Sequence, residues 1–122
     1  ELETFLADLH STQDRNGQPL IENTTIVLLS EMGRFPQLNS RAGKEHWTFT
    51  SAMMIGSGVR GGQSIGAFDQ YCFGQNVDLQ SGEVHNSGEA LVPGHLGATL
   101  LTLAGIDPQN YTQNLPIMAA LL

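Results

Sequence analysis

Thr25-Ile26-Val27-Leu28-Leu29-Ser30-Glu31-Met32-Gly33-Arg34 is the stretch that decides how this chain is read. Thr25 through Leu29 form a continuous, largely β-branched apolar run, and the polarity changes at once after Leu29. Such a run suits a strand buried on both faces, as in a parallel sheet covered by helices. The polar group Ser30–Arg34 then falls at the carboxyl end of the strand, where open α/β sheets hold their ligands. A second apolar run, Ala52-Met53-Met54-Ile55, predicts another buried strand. The expected fold class is α/β, with a mainly parallel sheet flanked by helices.

Upstream of that stretch, Leu2, Phe5, Leu6 and Leu9 fall at i, i+3, i+4 and i+7, the spacing of one buried helical face. No Ser, Thr or Asp caps that helix and no initiator Met precedes it, so it reads as cut from a longer one. The expectation is that residues 1–122 are the C-terminal part of a single domain whose N-terminal part is missing. Asn16-Gly17 with Gln18-Pro19 predicts a turn. Downstream, residues 35–50 are loop-like. Gly56-Ser57-Gly58-Val59-Arg60-Gly61-Gly62 lacks both the Lys-Ser/Thr ending of a P-loop and the glycine spacing of a dinucleotide fold. Residues 66–92 read as an extended excursion with short strands. Pro93–Ala104 predicts a helix with Leu96, Leu100 and Leu103 on one face, capped by Gly105 and stopped before Pro108.

The 122 residues are 40% hydrophobic, enough for a packed core. Five Lys and Arg against twelve Asp and Glu give a net charge of −7. That balance argues against nucleic acid, whose phosphates attract clustered cations, and equally against an anionic membrane surface. No apolar run approaches the roughly 20 residues of a membrane span. Cys72 is the one cysteine, which excludes an internal disulfide, and an isolated cysteine is usually a small buried apolar residue.

Glu31 and His46 are the candidate metal ligands. A carboxylate at a strand end and a His in the following loop can converge on one point, and this donor pair suits Zn or Mn. Arg34 is the candidate for holding an anionic substrate through its planar fork of donors. A structural alternative stands beside each: Glu31 paired with Arg34, and His46 satisfied by backbone. Glu45 is either an orienting carboxylate for His46 or a solvated loop acid. Trp47 is more often a packing anchor than a stacking platform. His10, His85 and His95 are weaker candidates, and no nucleophile is evident.

Four stretches of the chain resemble the bacterial domain-of-unknown-function 1501 family, sulfatase-like proteins of the alkaline phosphatase superfamily. They are Thr25–Arg34, close to a strand followed by Ser-Glu-Phe-Gly-Arg, and Gly43-Lys44-Glu45-His46-Trp47, like Gly-Arg-Asp-His-Trp. The third is Gly56–Gly62 with Ile65-Gly66-Ala67-Phe68-Asp69. The last runs from Leu96-Gly97-Ala98-Thr99 through Leu103-Ala104-Gly105-Ile106-Asp107-Pro108.

The resemblance implies the C-terminal segment of an alkaline-phosphatase-like domain and a metal-dependent hydrolase of phosphate or sulfate esters. Glu31 and His46 would hold a divalent metal, expected as Zn or Mn, and Arg34 the small anionic ester, with the nucleophile upstream of this chain. A twin-arginine signal, and with it a periplasmic or extracellular location, is implied by the same likeness. Met32 stands where many superfamily members carry a metal-binding His, and a thioether is a poor ligand for a hard divalent ion. That departure favours the alternative, a non-catalytic secreted binding or accessory protein with a degraded metal site.

Overall fold

A computed structural model describes residues 1–122. Helix α1 spans Leu2–Ser11, strand β1 Thr25–Leu29, β2 Gly33–Arg34, β3 His46–Trp47, β4 Ala52–Gly56 and helix α2 Pro93–Leu103. The two helices and the two longer strands fall where the hydrophobic spacing predicts them. Pro93 at the first turn of α2 already has its φ set for a helix and lacks an amide that would go unbonded there. Gly105, at φ 72°, takes the left-handed position just beyond its end.

The sheet differs from expectation. The mainly parallel sheet of an alkaline-phosphatase-like α/β architecture is absent. β1 pairs with β4 antiparallel, Thr25 opposite Gly56 and Leu29 opposite Ala52, and β2 pairs with β3 antiparallel. Each sheet has two strands. The connection supplies the physical reason. Parallel neighbours need a long crossover, usually helical, whereas antiparallel neighbours need only a chain that turns back. Residues 30–51 contain no helix, and the β2–β3 hairpin folds within them, so β4 returns alongside β1 in the opposite direction. An apolar run fixes that a strand wants burial, not the direction of its neighbour.

The core lies in the C-terminal half. Leu79, Ile117, Ala119 and Ala120 form its buried cluster, and Met54, Ile65 and Leu91 pack against it. The tail is threaded through this region by backbone bonds: Ala119 N–H to Leu79 C=O at 3.0 Å, Arg60 N–H to Ala120 C=O at 2.9 Å, and Leu122 N–H to Gly58 C=O at 3.0 Å. Buried Thr99 ties it to α2, its hydroxyl accepting from Ile117 N–H at 2.8 Å and donating to His95 C=O at 2.7 Å. The excursion contributes Val77, fully buried, which bridges both Val84 and Glu89.

Elsewhere the chain is thinly covered. Helix α1 buries no residue despite its apolar stripe. The accessible surface is 8798 Å², whereas a folded monomer of this mass exposes about 6,400 Å². No helix is long and apolar enough to cross a membrane.

Candidate functional site

The β2–β3 hairpin builds the region around the predicted residues. Gly33 opposes Trp47 and Arg34 opposes His46. Directly opposed residues of an antiparallel pair project from the same face. The fold thus brings Arg34 and His46, twelve positions apart in sequence, side by side on an exposed face. Gly33 is required for this approach, since a Cβ there would fall 1.5 Å from the Phe49 carbonyl oxygen.

The loop between the two strands is organised by Asn39. Its Oδ1 accepts from the amides of Arg41 and Gly43, each at 3.0 Å, and its amide group donates to the Glu45 carboxylate. Glu45 is therefore engaged by Asn39 rather than by His46. Ala42, at φ 58°, takes the left-handed corner of this loop. Phe35 N–H donates to Glu45 C=O at 2.9 Å, which extends the pairing beyond Arg34. Arg34 itself makes one side-chain bond, Nη1 to Lys44 C=O at 3.4 Å. The rest of its guanidinium fork is open for an anion.

Glu31 lies in the turn between β1 and β2 and is exposed. No hydrogen bond joins it to Arg34 or His46, and no group of three His, Cys, Asp or Glu residues that could hold a metal ion forms anywhere in the chain. Glu31 and His46 are two donors, half of a tetrahedral shell. By themselves they do not make a metal centre.

Behind the hairpin lies an aromatic cluster that the sequence reading did not assemble. Trp47 packs against Phe68 with ring centroids 4.6 Å apart, against Phe49 at 5.4 Å and against Phe35 at 6.3 Å. Trp47 is thus a packing anchor, and each such contact contributes about 0.5–1.5 kcal/mol beyond area burial. A cavity of about 390 Å³ opens between this cluster and the β1–β2 turn, lined in part by Met32, Arg34, Trp47 and Phe68. Arg34 reaches it, while Glu31 and His46 do not line it.

The other histidines have local roles. His95 is buried and its Nδ1 bonds the Leu115 carbonyl at 2.9 Å. A carbonyl can only accept, so Nδ1 carries the proton and the ring helps fasten the tail to α2. His85 Nδ1 meets Ser87 Oγ at 2.9 Å in an exposed turn. Asp78 begins that region. Its carboxyl is held below the ordinary value by the backbone amide of Ser81, then by that of Gln80, with a smaller contribution from His85.

With this geometry in place, the chain matches the family described as protein of unknown function (DUF1501) over residues 2–116. No curated protein and no solved structure matches it.

Proposed function

The chain belongs to the DUF1501 family of proteins of unknown function, and from that premise we propose that it carries part of a metal-dependent hydrolase of phosphate or sulfate esters. The observation that carries the reading is the cross-strand pairing of Arg34 with His46, just beyond the Ser30–Met32 turn. It sets a forked cation beside an imidazole on an open face, an arrangement suited to a tetrahedral oxyanion next to a metal. The likeness of the same stretches to sulfatase-like members of the alkaline phosphatase superfamily supports it. That affiliation is part of the proposal and rests on the residues, not on the sheet.

In this reading Glu31 and His46 are two ligands of a divalent metal, Zn or Mn, and Arg34 orients the small anionic ester. A bound metal would polarise the ester oxygen and offset charge developing on it. The remaining metal donors and the nucleophile belong to polypeptide outside residues 1–122. Export through a twin-arginine signal to the periplasm or beyond is proposed with the same affiliation.

Turnover of a chromogenic phosphate or sulfate ester by the full-length protein tests the reading, wild type against Arg34→Ala. Loss of one charged contact to the transferred anion should lower kcat/KM by about 10–100-fold, matching the roughly 1.5–3 kcal/mol of a charge-assisted hydrogen bond. Equal turnover in both proteins would remove Arg34 from the site.

A second reading has a specific observation behind it. Met32, not a histidine, lies between Ser30 and Arg34 beside the cavity, and no third ligand joins Glu31 and His46. A non-catalytic binding or accessory protein would keep the cavity and need no metal. Ligand binding without turnover in the same assay would favour it.

A further inference from the structure

Arg34 is the one charged residue on the wall of the cavity beside the hairpin. Its single side-chain bond goes to the Lys44 carbonyl, and no carboxylate bonds it, Glu45 being engaged by Asn39. The rest of the wall is of a different kind. Met32, Trp47, Phe49 and Phe68 make it apolar, with a few serine and threonine hydroxyls between them. An open guanidinium at the edge of an aromatic wall complements an anion that carries an apolar body. A bare oxyanion would leave the wall wet, and a neutral apolar group would leave the cation unanswered. His46, across the hairpin from Arg34, lies outside the cavity, so the guanidinium marks the boundary between the polar face and the apolar wall.

The wall is held in place by local bonds. Thr50 Oγ1 donates to Ser30 C=O at 3.1 Å and Ser30 N–H to Ser51 C=O at 3.3 Å, which fixes the β1–β2 turn against the segment before β4. Phe68 is set by the turn that follows it. There the Asp69 carboxylate accepts from the amides of Tyr71 and Phe73 at 2.8 and 2.9 Å, and Phe68 bridges to Gly74. Phe68 meets Trp47 and Phe49 with ring centroids 4.6 and 5.3 Å apart, yet stays 49% exposed, and Met32 is 37% exposed. Packed on one side and open on the other, these two side chains have apolar surface left to bury. The cavity of about 390 Å³ has room for a ring, since about 150 Å³ of enclosed apolar space holds benzene.

We propose that this cavity takes the aromatic body of an anionic ligand whose charge is held by Arg34, with Met32 and Phe68 setting the preference for a ring. Edge-on and offset contacts with Trp47 and Phe68 favour a ring over an alkyl chain of equal area. The inference rests on the proposed function for one point, Arg34 as the group that holds the anion. Applied to the hydrolase reading, it names the substrate class as esters of aromatic alcohols.

Titration calorimetry of the full-length protein with phenylphosphonate and methylphosphonate tests it. Neither compound has an ester bond, so turnover plays no part. Phenylphosphonate should bind about 10-fold tighter than methylphosphonate, the gain from partly burying a ring. Arg34→Ala should weaken both compounds, whereas Phe68→Ala and Met32→Gln should bring the ratio of the two affinities toward one. Because Phe68 also packs on Trp47, the change at the exposed Met32 decides if Phe68→Ala fails to fold. Equal affinities in the wild type, no binding of phenylphosphonate at millimolar concentration, or a ratio unchanged in Met32→Gln would overturn the proposal. A ring preference in a protein that hydrolyses no ester would uphold it while the hydrolase reading failed alone. Ester turnover alongside equal affinities would do the reverse.

Discussion

The C-terminal core and the β1–β4 ladder are built from similar residues and end in opposite situations. Leu79 is 7% exposed, held between the tail and the face of β4 that carries Met54, whereas Leu29 on β1 is left open. The difference lies in what each segment finds within reach. The tail is bonded on three sides, to Leu79, to Gly58–Arg60 and through Thr99 to α2. β1 has β4 on one edge and nothing on the other. Hydrophobic sequence selects a local conformation; burial depends on a second surface being there.

Replacing Leu79 by Ala should break the core side of this comparison. It removes a side chain from the densest cluster and should cost about 2–5 kcal/mol in chemical denaturation of the full-length protein. Leu29→Ala sharpens the other side. With the Leu29 side chain 62% exposed, its removal should cost no more than about 0.5 kcal/mol. Equal, small effects at both positions would dissolve the distinction between the two regions.

A smaller effect is expected from acid. The Asp14 carboxyl is held below its ordinary value of 3.8 chiefly by the Gln18 amide, then by that of Asn16. These bonds, at 2.9 and 2.7 Å, close the turn predicted at Asn16-Gly17. With the folded value below the unfolded one, the folded state binds fewer protons, so the stabilisation is present above 3.8 and is lost as pH falls through the lowered value. The denaturation midpoint should fall more steeply below this point in wild type than in Asp14→Asn. Identical acid limbs would mean that the turn contributes nothing to stability.

Much of this architecture was legible in the residues. The i, i+3, i+4, i+7 spacing of Leu2, Phe5, Leu6 and Leu9 located α1, and the apolar runs at Thr25 and Ala52 located β1 and β4. Strand direction was not legible, because a run that suits burial on both faces fits either pairing. The β2–β3 hairpin escaped because each strand has two residues, too few for a period, and its register is set by Asn39 and the left-handed Ala42. Reading Arg34, His46 and Glu31 as site residues came from residue type and position along the chain. The pairing of the first two is a product of the fold, and it left Glu31 apart. Trp47 followed its commoner role as a packing anchor, through three aromatic partners scattered from Phe35 to Phe68.

The central functional claim is that Glu31 and His46 contribute to a metal centre completed by polypeptide beyond this chain. Elemental analysis of the dialysed full-length protein, wild type against His46→Ala, tests it most directly. The account predicts stoichiometric Zn or Mn in the wild type and loss of that metal in the variant, since removing one ligand of a four-coordinate site sharply weakens binding. Metal-free wild-type protein, or metal retained unchanged in His46→Ala, would contradict it.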